Sequence, residues 1–388
     1  MNNTITTEKL PIKLWTNEIE EGALHQTKNL ANHPCAFKHV AIMPDVHEGY
    51  GMPIGGVIAV KEALIPNAVG VDIGCGVCAV KTDIDNLEKK QIETIVYKIK
   101  SAIPTGFKWH STPLSEDKMP QILSEELTLI VCKEYKKARK QLGTLGGGNH
   151  FIEIQKGKDN YIWIMIHSGS RNLGKQIADT YNRYAKKFNE KLSNPIPKSW
   201  QLAYLPIDNK KAQQYKAEMQ YCISFALANR QAMMEKSLEI LIDVTGSINY
   251  QPLINIAHNY AAYEKHFKKD LFIHRKGATS AKKGEIGIIP GSQGTNSFIV
   301  KGKGNPESFK SCSHGAGRRL GRKQAVKELD FKKEVGLLDK KGILHFIRSR
   351  VDLDEAPGAY KNIDTVIKNQ ADLVDIIEEL EPLAVIKG

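Results

Sequence analysis

The stretch Gly143 to Gly174, GTLGGGNHFIEIQKGKDNYIWIMIHSGSRNLG, constrains the fold of this chain more than any other. It holds two strand-like runs, His150–Ile154 and Tyr161–His167, around the turn-prone Gly157-Lys-Asp-Asn160. That pattern predicts an antiparallel pair of strands. Pairing brings His150, at the start of the first run, and His167, at the end of the second, to the same end of the hairpin. A glycine-rich approach leads into the first histidine, and the small-residue turn Ser168-Gly-Ser follows the second. Two imidazoles at one strand end, beside open backbone, suit a metal site facing a phosphate-sized space. The competing reading is a buried hairpin whose histidines only cap its strands.

Residues of the same type recur elsewhere. Asp72 and Cys75 sit in Asn67 to Val80, NAVGVDIGCGVCAV, an apolar run broken by glycines that allow close backbone approach. With His150, His167 and His258 they supply a carboxylate, a thiolate and three imidazoles, enough for one or two divalent ions. Singly, Cys75 reads as a small buried hydrophobe and His258 as a core histidine. Cys75-Gly-Val-Cys78 has no second CxxC to complete a zinc ribbon. Ligand softness alone favours zinc over manganese. Two further loops, Pro290 to Ser297 and Gly315-Ala316-Gly317-Arg318, offer N–H groups, hydroxyls and a guanidinium to phosphate. No P-loop or GxGxxG signature is present. His314, in Ser-His-Gly-Ala-Gly-Arg, could attack phosphorus through a ring nitrogen or simply bind phosphate; the residues alone leave both open.

The net charge of +12 suggests an anionic partner, with nucleic acid first among the possibilities. The six cysteines are scattered, which argues against a disulfide framework. The first residues carry no basic, apolar leader, and no apolar run approaches the roughly 20 residues of a membrane span. A cytoplasmic protein with reduced thiols and no membrane association is expected. Its 388 residues allow two or three domains by length. Because candidate site residues recur from Asp45 to Lys387, one interwoven domain over 1–388 is expected instead. The fold class is α+β: a mixed, largely antiparallel β core bent around a metal site, with helices packed outside. Helical periodicity is read over 86–102, 115–141, 177–192, 213–244 and 254–266. The first two form a helical, substrate-facing insertion around 86–142. Residues 40–43 read as a short strand, 44–51 as a loop, and a last helix is expected shortly before Val385.

Taken together, MPDVHEGYGMPIGG, GVDIGCG, GTLGGGNHFIEI, HSGSRNLG, AHNYAAYE, HRKGAT, IIPGSQGTNSF and SCSHGAGR closely resemble the RtcB family of RNA-splicing ligases. The resemblance runs from about Pro44 to Arg322 and includes the terminal Lys387-Gly388. It implies a ligase that joins RNA ends bearing a 2′,3′-cyclic phosphate or 3′-phosphate to 5′-hydroxyl ends, in tRNA splicing or RNA repair. GTP and two Mn2+ ions would be its cofactors, and a GMP-histidine its intermediate. His314 matches the guanylylated histidine. Asp72, Cys75, His150, His167 and His258 match the manganese ligands, with Cys75 bridging, which overrules the softness argument for zinc. Asn149, Glu153, Ser292, Ser297, Gly315, Ala316, Gly317 and Lys387 match nucleotide contacts. Asp45, Arg171, Lys276, Arg318 and Arg322 match polar positions around the reaction centre and the RNA phosphates. A monomer is expected. The chain departs from the family pattern at Gly321, where serine is expected, and at Cys78, where a polar or basic residue is usual. The rival readings are a metal-dependent cyclic phosphodiesterase, which needs neither GTP nor His314, and a non-catalytic RNA-end binder.

Overall fold

In the computed structural model, which describes Met1 to Gly388, the expected hairpin lies in the middle of the largest of four sheets, two of which are only two-stranded. Phe151–Gly157 and Ile162–Ser168 pair antiparallel, with Phe151 opposite His167 and His150 immediately before the first strand. Across the sheet the seven strands run Ile254–Ala257, Gly76–Lys81, Ile162–Ser168, Phe151–Gly157, Val374–Lys387, Ser297–Gly302, Ile286–Ile289. Segments far apart in the chain therefore end as neighbours.

Side-chain alternation explains why this sheet is covered on both faces. Ile152, Ile154, Ile164 and Ile166 pack with Ile95 and Ile99 of the Lys89–Ala102 helix and Met233 and Leu241 of the Lys210–Thr245 helix. Phe151, Trp163, Met165 and Val385 pack on the other face with Leu338 and Leu353. The 36-residue helix Lys210–Thr245 starts at Asn209, whose side chain accepts the Lys211 N–H at 2.8 Å.

The second sheet has six strands in the order Asn3–Ile5, Ile12–Leu14, Ala36–Tyr50, Met52–Val60, Lys269–Lys276, Asn259–His266. All strand pairings in the molecule are antiparallel except that of Ile12–Leu14 with Ala36–Tyr50. The α+β expectation, with an antiparallel core and outer helices, holds. No helix is long and apolar enough to cross a membrane.

Four local expectations are corrected. Residues 254–266 are two strands, not a helix: Ile254–Ala257 joins the large sheet and Asn259–His266 the small one. Pairing to Gly76–Lys81 and to Lys269–Lys276 satisfies their backbones, and this tertiary pairing overrides local propensity. His258 sits at the crossing. Residues 44–50 are not a loop but the continuation of the Ala36–Tyr50 strand, with register shifts on either side of His47 that accommodate Pro44. Between 115 and 141 only Leu129–Gln141 is α-helical, with a short 3-10 turn at Glu116–Lys118. The last helix is Ile363–Asn369, and what leads into Val385 is the strand Val374–Lys387, paired on both sides.

Candidate active site and metal centre

Asp72, Cys75, His150, His167 and His258 come from three separate parts of the chain and converge. The ligand atoms of Cys75, His167 and His258 lie within 4.8 Å of one another, and so do those of Asp72, Cys75 and His150. Two three-residue sets thus share one sulfur. Cys75 Sγ stands 3.3 Å from His167 Nε2 and 3.5 Å from His150 Nε2, and Asp72 Oδ2 is 3.1 Å from the same His150 nitrogen. His150 Nδ1 faces the Leu145 carbonyl at 2.9 Å and His167 Nδ1 the Asn149 carbonyl at 3.1 Å. A neutral ring that donates from Nδ1 keeps a lone pair on Nε2, the tautomer a metal requires. The centre therefore gathers acceptors around shared points, with one thiol proton among them. Burial pushes the Cys75 thiol up and the His167 and His258 rings down, so both histidines are neutral. The donor set fits divalent cations, and Nδ1 of His258 is buried without a partner.

Two residues in the middle of the long helix hold these loops in place. The Asn229 side chain accepts from the Gly143 N–H (2.7 Å) and Thr144 N–H (3.1 Å) and donates to the Gly169 carbonyl (3.2 Å). Arg230, fully buried, donates to the carbonyls of Gly74 (3.0 Å) and Ser168 (2.8 Å) and to Asn255 (2.7 Å). One helix turn thus fixes the backbone next to Cys75 and His167, the start of the glycine run that leads to His150, and the strand that leads to His258.

His314 extends the row of rings. Centroids are 5.3 Å apart for His150–His167, 5.1 Å for His167–His258 and 4.7 Å for His258–His314. Asp45 is completely buried, and its Oδ2 takes His314 Nδ1 at 2.6 Å and the His314 backbone N–H at 3.0 Å. The carboxylate thereby orients the ring and frees Nε2. Gly317 has φ of 74°, and a Cβ there would lie 2.2 Å from the Asp45 carbonyl oxygen. Only glycine lets this loop close over Asp45.

His314 borders a cavity of about 550 Å³, which Asn149, Glu153, Ser292 and Lys387 also line. Gly315, Ala316, Gly317, Arg318 and Arg322 form part of its wall. Glu153 and Lys387 lie on adjacent strands, where Val385 is opposite Glu153. Burial pushes the Glu153 carboxyl up to about 8, against the pull of Lys387. Arg318 and Arg322 meet on Glu355, with Arg318 Nη1 at 2.9 Å and Arg322 Nε at 3.0 Å from the same oxygen. Lys387 Nζ is 3.6 Å from the other oxygen, to which the Tyr360 hydroxyl also donates. Burial alone would raise the Glu355 carboxyl, but Lys387 and the two arginines hold it below the usual carboxylate range.

Besides Asp45 and four of the metal-type ligands, three expected site residues stand away from the cavity wall. Ser297 accepts from Gln155 at 3.0 Å and from the Gly291 N–H at 3.1 Å, buttressing the loop that carries Ser292. Lys276 donates to the Tyr50 and Asn67 carbonyls at 2.7 and 3.2 Å, and burial lowers its amine to about 7. Arg171 lies over Gly146 and reaches the Gly106 carbonyl at 3.5 Å. Of the two family departures, Gly321 is the N-cap of the helix Arg322–Glu328 and supplies no side-chain cap. Cys78 is a buried thiol pushed up to about 12. Sequence reasoning missed Glu355, Tyr360, Asn229, Arg230 and His47, which also lines the cavity. Asn229-Arg230, on a buried face of an otherwise Ala/Met-rich helix, was the one visible signal.

The family model described as tRNA-splicing ligase RtcB matches residues 26–138 and 127–388. The RNA-splicing ligase RtcB of Escherichia coli is 39% identical, covering 99% of each chain. The tRNA-splicing ligases RtcB of Nanoarchaeum equitans and Thermococcus kodakarensis are 34% and 31% identical, each match covering 95% of this chain and 92% of the relative. Matches of this extent leave no segment of the site outside the family: the chain belongs to the RtcB family of tRNA-splicing ligases.

Proposed function

We propose that this RNA ligase joins ends bearing a 2′,3′-cyclic phosphate or 3′-phosphate to 5′-hydroxyl ends, using GTP, manganese and a GMP-His314 intermediate. The observation that carries the reading is the position of His314. Its Nδ1 is held by buried Asp45, its ring stacks edge-on against a candidate metal histidine, and it borders a nucleotide-sized cavity. Manganese held by Asp72, Cys75 and His150, and by Cys75, His167 and His258, would neutralise charge on phosphate oxygens. With Nδ1 turned to Asp45, the ring has Nε2 left as its nucleophilic nitrogen. That nitrogen forms a P–N bond to the α-phosphorus of GTP as pyrophosphate leaves. Arg318, Arg322 and Lys387 offer the cations for the phosphates, while Asn149, Glu153 and Ser292 offer polar contacts to the nucleoside. GMP then passes to the RNA 3′-phosphate, the P–N bond breaking as a phosphoanhydride forms. Water first opens the ring when the end is cyclic. The 5′-hydroxyl finally attacks the activated phosphate and expels GMP, its proton passing to solvent.

His314→Ala tests this. Protein-bound label from α-labelled GTP should disappear, as should ligation of 3′-phosphate ends, while manganese still binds. RNA supplied with a 3′-guanylylated end should still be joined, because that last step forms no new bond to His314. The adduct on the unmutated protein should be acid-labile and alkali-stable, as a phosphoramidate is. Label persisting in His314→Ala would assign the nucleophile elsewhere.

A further inference from the structure

The loop after the Lys89–Ala102 helix reads Thr105-Gly-Phe-Lys-Trp-His110. Phe107 is fully exposed (102%) and Trp109 is 44% exposed, with exposed Lys108 between them. Single exposed apolar residues are ordinary, but two aromatic rings flanking a lysine on a held backbone are not. The backbone here is pinned at both ends. Pro104 accepts the Leu145 N–H at 2.9 Å, and the Gly106 N–H donates to the Gly146 carbonyl at 2.8 Å. The His110 N–H donates to the Lys140 carbonyl at 3.0 Å, and its ring contacts the Gly143 carbonyl at 3.2 Å. The rings are thus presented to solvent by a fixed frame.

That frame is also the approach to the candidate centre. A Cβ on Gly147 would lie 3.6 Å from the Gly106 Cα, and Gly147 is two residues before Asn149, on the cavity wall, and three before His150. Arg171 links the same place to His150, contacting the Gly106 carbonyl and the imidazole. Exposed aromatic rings beside a lysine, on a loop packed against the glycine run that leads into the site, match the chemistry of single-stranded RNA. Unpaired bases stack on the rings and their phosphates meet the lysine.

We propose that Phe107, Lys108 and Trp109 form a stacking platform for the single-stranded nucleotides next to the RNA end being joined. The proposal rests on the RNA-ligase reading above and adds a substrate subsite to it. The test uses the full chain and an end-labelled single-stranded RNA with a 3′-phosphate. Its affinity is measured by fluorescence anisotropy for the unmutated protein, Phe107→Ala, Trp109→Ala, the double variant and Phe107→Tyr. Each alanine should weaken binding roughly 5- to 150-fold, the range expected for losing one base–aromatic stack. Phe107→Tyr should bind as the unmutated protein does. Formation of the GMP adduct should be unchanged in all variants, because neither residue lines the cavity that His314 borders. Unchanged RNA affinity in the double variant, with ligation intact, would overturn the platform and leave the ligase reading standing. If RNA affinity holds but self-association by sedimentation is lost, the rings serve a second copy of the chain, which also overturns it. An unmutated protein that binds no RNA would overturn both.

Discussion

The site has two unlike sides. On the side of Cys75, His150, His167 and His258, acceptor atoms face one another and backbone carbonyls fix the rings from behind. On the side of Arg318, Arg322 and Lys387, donors converge on a single buried carboxylate, Glu355. Arg171 touches the first arrangement only from behind, at His150 Nδ1, so its facing acceptors form the candidate metal ligands. The second has supplied its own anion. The difference teaches that the first side is organised for an ion brought from solution. The second is internally neutralised, so an incoming phosphate must compete with Glu355 for the cations. His314 lies between, its nitrogens divided between Asp45 and the cavity.

The largest effect should come from removing the shared sulfur. Cys75→Ala should abolish manganese binding measured by calorimetry. Ligation should fall by well over a hundredfold, since even outer partners of metal ligands are worth about 10- to 100-fold. Retained stoichiometric binding would mean that the two three-residue sets are not joined through Cys75. Glu355→Gln should be milder and should act on stability. It keeps the shape but removes the charge that pairs the cations, so denaturant unfolding should show a loss of about 1–3 kcal/mol with manganese binding untouched. No loss of stability would show that the cations need no internal partner, and the contrast between the two sides would fail.

The smallest effect is a pH trend. Burial raises the Glu153 carboxyl from 4.5 to about 8. The folded state then binds more protons than the unfolded one between these values. Stability contributed by Glu153 is complete below about 4.5 and is lost as pH rises through about 8. Glu153→Gln should flatten that part of the stability profile. A variant whose profile parallels the unmutated one would place the carboxyl in a better-solvated setting than its 3% exposure indicates.

Legibility in the sequence followed how local each constraint is. The Phe151–Gly157 and Ile162–Ser168 hairpin was readable because alternation and a turn signal lie within a few residues of each other. The segment 254–266 was not, because its apolar spacing tolerates either period and its partners lie about 180 residues earlier or on the next strand. Metal-type ligands could be picked out because their side chains are chemically rare and sit among glycines. Glu355 could not: one acid among many carries no mark until the fold surrounds it with Arg318, Arg322, Lys387 and Tyr360.

By itself, then, the sequence determined the chemical inventory of this protein: a thiol, a carboxylate and imidazoles, glycine loops open to phosphate, a histidine beside arginines, and the α+β class. Residue identity and short-range periodicity are properties of the chain alone. Only the tertiary structure decided that Cys75 belongs to two sets at once, that Asp45 stands behind His314, and that Asn229 and Arg230 brace the loops. It also decided that Glu355 balances three cations and that Phe107 and Trp109 stand uncovered. Those are distances between residues far apart in sequence, and burial and hydrogen-bond satisfaction set them only once the two sheets and the long helix have packed.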